Sequence, residues 1–283
     1  MAVLVKASVL LSGSIAFLSL ASSGSALEMD DLIHPLTNAV SVSAYVQIDS
    51  AYISSGNSIS DARQIIQQCV TLTKGFEEYG RLSAYIWQPS SLHGRNDESR
   101  RRAYYWMENG IYHAHSLRLN DIYSIYTRPL LFWGVPTGCR SERHSSFSAK
   151  FLQRFDNPWI SPYYNFYGRL APDSWWQISF GLMRDFKLME RLSLSPSLEF
   201  TYNDERRYKA RYGMFPDSQE DRWSSMVLRV TLKWWLDEHW NVYLSLKDYE
   251  TMGHDNREIV KRQTSYNARN HLTACSLGLG CTF

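Results

Sequence analysis

Between residues 191 and 204 the chain reads RLSLSPSLEFTYND. Every second position is apolar: Leu192, Leu194, Pro196, Leu198, Phe200 and Tyr202. The residues between them are Ser193, Ser195, Ser197, Glu199, Thr201 and Asn203. Successive side chains of a strand point to opposite sides, so the pattern predicts a strand with one greasy and one polar face. The alternation recurs at 160–170, 176–183, 226–235 and 240–247. In SMVLRVTLKWW, for instance, Met226, Leu228, Val230, Leu232 and Trp234 oppose Val227, Arg229, Thr231, Lys233 and Trp235. These runs are longer than an average globular strand and approach the roughly 9–11 residues of a tilted membrane strand.

Extended along the chain, the pattern predicts about twelve strands, within a range of roughly ten to fourteen. They fall near 42–54, 64–74, 80–89, 102–114, 119–133, 145–155, 159–170, 174–186, 190–203, 224–236, 239–250 and 271–283. The joints alternate. GFEEY, DNP, KLME and DEH are short, whereas SSLHGRNDESRR, GVPTGCRSER, DERRYKARYGMFPDSQEDRW and TMGHDNREIVKRQTSYNARN are long and charged. Tight turns at one end and long loops at the other describe an all-β, antiparallel, up-and-down transmembrane barrel. The fourth and fifth strands alternate least cleanly.

The first 26 residues change the setting. Lys6 precedes an apolar run from Ala7 to Leu20, and Gly24 and Ala26 offer small residues for cleavage. This is the pattern of a secretory signal peptide cut after Ala26. The division expected is a leader at 1–26, a periplasmic segment at 27–41 and a barrel at 42–283. Beyond Leu27 no uninterrupted apolar run reaches spanning length, so no membrane helix is expected in the mature chain. An exported barrel belongs in the outer membrane of a Gram-negative-type cell, against outer-membrane lipid and lipopolysaccharide.

Composition supports this. Aromatics make up 14% of the chain, with 10 Trp and 18 Tyr. Many Trp sit near strand ends, as in the interfacial girdles of barrels. A formal net charge of +2 is too balanced to suggest a nucleic-acid partner. The four cysteines, Cys69, Cys139, Cys275 and Cys281, form no metal-ligand spacing, and no motif calls for a metal or cofactor. Cys275 and Cys281 share one expected strand about 20 Å apart, too far to bond to each other. Their disulfide state is otherwise open.

The last strand, HLTACSLGLGCTF, alternates and ends on Phe283. A terminal aromatic on such a strand resembles the signature that barrel-assembly machinery reads in outer-membrane proteins, and Phe283 is the candidate assembly signal. If the greasy faces meet lipid, the polar faces line the lumen. The candidate lining residues are Asp49, Tyr163, Arg169, Gln177, Glu199, Arg229, Lys233 and Lys247, with Tyr45, Gln47, Tyr85 and Asn165 beside them. A lone charge facing lipid at mid-membrane costs about 2–4 kcal/mol, which fixes this choice of faces. The lining is mixed in sign and slightly cationic. It suits a water-filled channel for small polar solutes or a barrel plugged by its own salt bridges.

YVQIDSAYISSGNSISDARQIIQQCVTLT resembles the opening hairpin of the TorF-like outer-membrane porin family. Tyr52, Ser54, Gly56, Ser60, Asp61 and Gln67 carry the likeness, with Ser55 where the family usually has Arg. NPWISPYYNFY resembles the Asn-Pro strand of such barrels. The resemblance implies a porin-type barrel and names no ligand.

Two other functions are considered. RHSSF places His144 and Ser146 two residues apart, similar to the His-x-Ser pair of outer-membrane phospholipase, with Asn157 as a third member. The further motifs of that family are missing. The remaining reading is a closed structural or adhesive barrel acting through its external loops. The GRNDESRRR loop at Gly94–Arg102 could also bind lipopolysaccharide phosphates, and YNDERRYKARYG reads the same way.

Overall fold

A computed structural model describes residues 40–51, 53–54, 57–58, 64–91, 106–136, 145–207, 222–262 and 270–283. Among them, twelve long strands run antiparallel to their neighbours and close into a barrel. They are β1 (Val40–Asp49), β2 (Ile65–Gly75), β3 (Arg81–Ser91), β4 (Trp106–Arg118), β5 (Ser124–Pro136), β6 (Ser146–Asp156), β7 (Ser161–Ala171), β8 (Trp175–Met183), β9 (Leu192–Asn203), β10 (Trp223–Trp235), β11 (Trp240–Thr251) and β12 (His271–Thr282). Each strand pairs with the next in sequence, and β12 returns to β1. No helix among the described residues is long and apolar enough to cross a membrane. Among the described residues the longer helix, α1 (His254–Arg262), belongs to the β11–β12 connection.

The expected strands are found, with four differences. The first, expected at 42–54, runs from Val40 and ends at Asp49. β4 and β5 lie about four residues later than the alternation suggests. The expected strand at 174–186 ends at Met183. Phe186–Met189 then forms a short separate pairing with the start of β9. The rule of long loops at one end also has an exception, since only residues 172–174 join β7 to β8. The leader, Cys139 and most of the long loops lie outside the described residues.

Three tight turns share one device. Asn120 Oδ1 accepts the backbone N–H groups of Ile122 (3.0 Å) and Tyr123 (2.9 Å). Asn157 Oδ1 accepts those of Trp159 (2.9 Å) and Ile160 (3.0 Å). Asp237 Oδ1 accepts those of His239 and Trp240, both at 2.7 Å. Short Asx side chains reverse the chain by taking N–H groups two and three residues ahead. The Trp240 and His239 amides hold the Asp237 carboxyl below its usual range. A depressed folded-state pKa adds stability above the unfolded value, and that stability is lost as pH falls through the depressed one. The protection factors of the His239 and Trp240 amides should therefore drop on acidification, and much less so in Asp237→Asn. Flat protection across that range would contradict the turn geometry.

The faces sort as a membrane barrel requires. Leu194, Leu232, Leu244 and Leu277 follow one another in register across β9 to β12, and all face outward. Trp159 and Tyr79 are about 70% exposed beside the short turns. Tyr123 stacks on Phe155 with centroids 5.6 Å apart and lies 6.3 Å from Trp159. At the long-loop end, Trp176, Tyr202 and Trp223 form a second group. The girdle expectation is corrected for four tryptophans. Trp87, Trp106, Trp175 and Trp235 stand on inward positions of their strands.

The seam is closed by the chain's end. Val42 N–H donates to Phe283 O and Phe283 N–H to Val42 O, both at 2.8 Å. The Phe283 ring stacks on His239 at 5.2 Å and meets Trp240 edge-on at 6.1 Å. The terminal aromatic is thus part of the girdle and of the last ladder.

Candidate functional site

The site is the lumen, and its two sides differ. Along β1 to β7 the inward positions carry Tyr45, Ile65, Cys69, Tyr85, Trp87, Tyr112, Ala114, Tyr126, Leu130, Phe132 and Leu152 as one buried cluster. Along β8 to β12 they carry mainly Gln, Ser, Thr and Asn, with Ser179 and Thr201 bonded at 3.0 Å and Thr231 and Ser245 at 3.0 Å. Apolar filling on one side narrows the aqueous space and pushes it toward the other.

Polar bonds knit the lumen wall across strands. Tyr243 Oη donates to Gln47 Oε1 at 2.7 Å. Gln47 and Gln67 both donate to Asp49, and Trp87 Nε1 donates to Gln67 Oε1 at 3.1 Å. This chain of bonds links β11, β1, β2 and β3 across the closing seam. Asp49 is only 1% exposed. It holds the wall together and does not offer its carboxylate to the lumen. A buried carboxylate is stable only with such donors around it.

The other candidates separate by access. Gln177, Lys233 and Lys247 point inward and are buried. Lys233 lies over the Trp235 ring at 4.4 Å. Tyr163, Arg169, Glu199 and Arg229 also point inward but stay partly accessible. Tyr163 Oη donates to Glu199 Oε2 at 3.0 Å, and Arg229 lies close enough to Glu199 to attract it. Arg169 reaches Ala171 O near the β7–β8 connection.

The sequence reading missed two members of this group, Arg128 on β5 and Lys150 on β6. Both are inward and partly accessible. Lys150 Nζ lies 4.6 Å from the Phe132 centroid and 5.0 Å from that of Tyr167, and Arg128 lies 5.3 Å from the Tyr112 centroid. Cation–ring contacts of this kind hold a charged head in place while leaving one side open. Glu108, also missed, is buried; Tyr85 Oη donates to it at 2.7 Å, and Lys150 attracts it. Arg154 is paired with Asp156 at 2.6 Å. The carboxylates Asp49, Glu108, Asp156 and Glu199 are thus each covered by a donor. On the inward faces the cations Arg128, Lys150, Arg154, Arg169, Arg229, Lys233 and Lys247 outnumber the carboxylates Asp49, Glu108, Asp156 and Glu199.

The hydrolase arrangement is not assembled. His144 lies outside the described residues. Ser146 begins β6 and Asn157 follows its far end, a separation of about 35 Å along an extended strand. The Asn157 side chain is also fully occupied in its turn, with Nδ2 donating to Ile160 O. Among the residues that carry the TorF-like resemblance, Gln67 belongs to the wall network and Ser54 to a short pairing with Asn57. Tyr52, Gly56, Ser60 and Asp61 lie outside the described residues. Cys275 and Cys281 face outward on β12, and Cys69 faces inward.

No family model matches this sequence, and no curated protein matches it. Among solved structures, 95 chains match. The chain is similar to the COG4313 outer membrane channel from Pseudomonas putida F1, with a TM-score of 0.53 and 12% identity over 90% of this chain and 99% of that one. KdgM porin gives 0.48 at 10% identity, over 86% of this chain and 99% of that one. NanC porin gives 0.46 at 10% identity, over 87% and 99%. At these identities the likeness is one of fold, and the fold is that of an outer-membrane β-barrel.

Proposed function

We propose that the protein is a porin-like channel of the outer membrane that passes small polar solutes passively and favours anions. The carrying observation is the excess of inward cations over inward carboxylates, with Arg128, Lys150, Arg154, Arg169, Arg229, Lys233 and Lys247 against Asp49, Glu108, Asp156 and Glu199. In a narrow low-dielectric passage, fixed cations raise the local anion concentration and repel cations. The leader at 1–26 and the terminal Phe283 support export and barrel assembly. The opening-hairpin resemblance to TorF-like porins supports the same role. The long basic loops would face lipopolysaccharide.

A sealed structural barrel is the second reading. It is favoured by the buried cluster around Phe132 and Trp87, which fills one side of the lumen.

Single-channel recording of the refolded barrel in a planar bilayer separates the two. Discrete conductance steps with a reversal potential displaced toward chloride are expected under a potassium chloride gradient. Lys150→Gln should reduce that displacement while the barrel stays heat-modifiable. A barrel that inserts but never conducts would remove the channel and favour the sealed form.

A further inference from the structure

One stretch of the lumen wall carries more than charge. Lys150, Tyr167, Gln177 and Asn203 stand side by side on β6, β7, β8 and β9, joined in register on inward positions. Arg169 and Trp175, paired with each other, form the next step of this wall toward the β7–β8 connection. The Tyr167 and Trp175 rings meet edge to face at 4.9 Å. Lys150 Nζ lies 5.0 Å from the Tyr167 centroid, and the Arg207 guanidinium lies 4.5 Å from that of Trp175. Lys150, Tyr167, Arg169 and Trp175 each keep part of their surface accessible.

Gln177 and Asn203 are each 1% exposed, and among the described residues neither Gln177 Oε1 nor Asn203 Oδ1 accepts a hydrogen bond. The amides of the seam are different: Gln47 Oε1 accepts from Tyr243 and Gln67 Oε1 from Trp87. Asn241 also lacks a partner, but Lys233, two residues from its register partner, is buried. A buried carbonyl without a donor costs free energy and calls for an explanation. Here two of them adjoin two accessible cations and two rings. The cations disfavour an ammonium donor, so the matching donors are neutral O–H groups. The same cations suit a carboxylate, and the rings suit a carbon chain.

We propose that this wall is a binding site for polyhydroxylated carboxylates. The carboxylate would lie between Lys150 and Arg169, and hydroxyls farther along the solute would donate to Gln177 Oε1 and Asn203 Oδ1. From β6 to β9 the row covers three strand spacings, about 14 Å, which gives room for both ends of a six-carbon acid. The inference rests on the proposed entry of anions into the lumen and deepens it. Charge alone treats a hydroxylated acid and a plain acid alike. Buried acceptors reject the analogue that leaves them unpaired.

The test is isothermal titration of the full barrel in detergent with D-gluconate, hexanoate and sorbitol. Gluconate has the charge and the hydroxyls, hexanoate only the charge, and sorbitol only the hydroxyls. Gluconate should bind about tenfold or more tighter than either of the others. Gln177→Leu keeps the size of the side chain and removes the acceptor. It should bring gluconate toward the level of hexanoate, and Asn203→Leu should act alike. Lys150→Gln should weaken both acids. Leu194→Val, outward on β9, should change neither. Equal binding of gluconate and hexanoate by the wild type overturns the proposal. So does a heat-modifiable Gln177→Leu barrel that binds gluconate unchanged. Titration reads binding without current, so the two readings fail separately. A chloride-preferring channel that does not distinguish the two acids removes the site and keeps the channel. A barrel that binds gluconate selectively but never conducts removes the channel and keeps the site.

Discussion

Leu244→Arg should destabilise the barrel by about 2–4 kcal/mol, the cost of an arginine facing lipid near the bilayer midplane. Leu244 lies near the centre of β11, faces outward and sits in a row of leucines from four strands. The guanidinium could escape only by stretching toward an interface, which strand centres make longest. The neighbouring position provides the contrast. Ser245 faces inward, 5% exposed, and bonds to Thr231 at 3.0 Å. Ser245→Ala removes that one bond and should cost only about 1 kcal/mol. Equilibrium unfolding in urea with lipid vesicles measures both. If Leu244→Arg were as mild as Ser245→Ala, the leucine face would not be in hydrocarbon, and the assignment of faces would be reversed or wrong.

The same alternation explains what the amino-acid order reveals and what it conceals. Where lipid lies on one side and polar lumen on the other, as along β9 to β11, the two faces have opposite chemistry and the strand is legible residue by residue. On β4 and β5 that contrast fails. Leu130 and Phe132 face the lumen, whereas His113, His115 and Thr127 face outward. Both faces are then mixed, and the alternation points to strands about four residues too early. Lys150 was hidden in the same way, since Leu152 shares its inward face. Tryptophan is ambiguous for a different reason. It suits a girdle and a lumen floor equally well, so the inward Trp87 and the outward Trp159 look alike in the sequence. Asp49 shows a third limit. Its partners come from β2 and, through Gln47, from Tyr243 across the closing seam. No local pattern distinguishes a carboxylate that lines the water from one that fastens the wall.

Gly278→Val should cost about 3 kcal/mol or more, because it strikes that fastening directly. Gly278 pairs with Tyr243 across β11 and β12, and the tyrosine ring lies over the glycine. A Cβ at this position would come within 2.5 Å of two ring carbons and the phenolic oxygen of Tyr243. Gly181 under Tyr163 repeats the arrangement. A flat ring covering a cross-strand glycine shields the bare backbone and allows a sharply curved wall. A valine at residue 278 must lift the ring. Overpacking of this kind costs about 1–3 kcal/mol. Lifting the ring also breaks the bond from Tyr243 Oη to Gln47, which leaves a buried amide short of a partner at about 1–3 kcal/mol more. Gly280 is the control. A Cβ there would meet only the Asn241 side chain at 3.1 Å, which can shift, so Gly280→Ala should be milder. Adding Tyr243→Ala to Gly278→Val should cost less than the sum of the two single changes, since the clash can be relieved only once. Strict additivity, or a Gly278→Val barrel within about 0.5 kcal/mol of the wild type, would mean that the ring does not rest on the glycine. The seam would then be held by its backbone ladder alone.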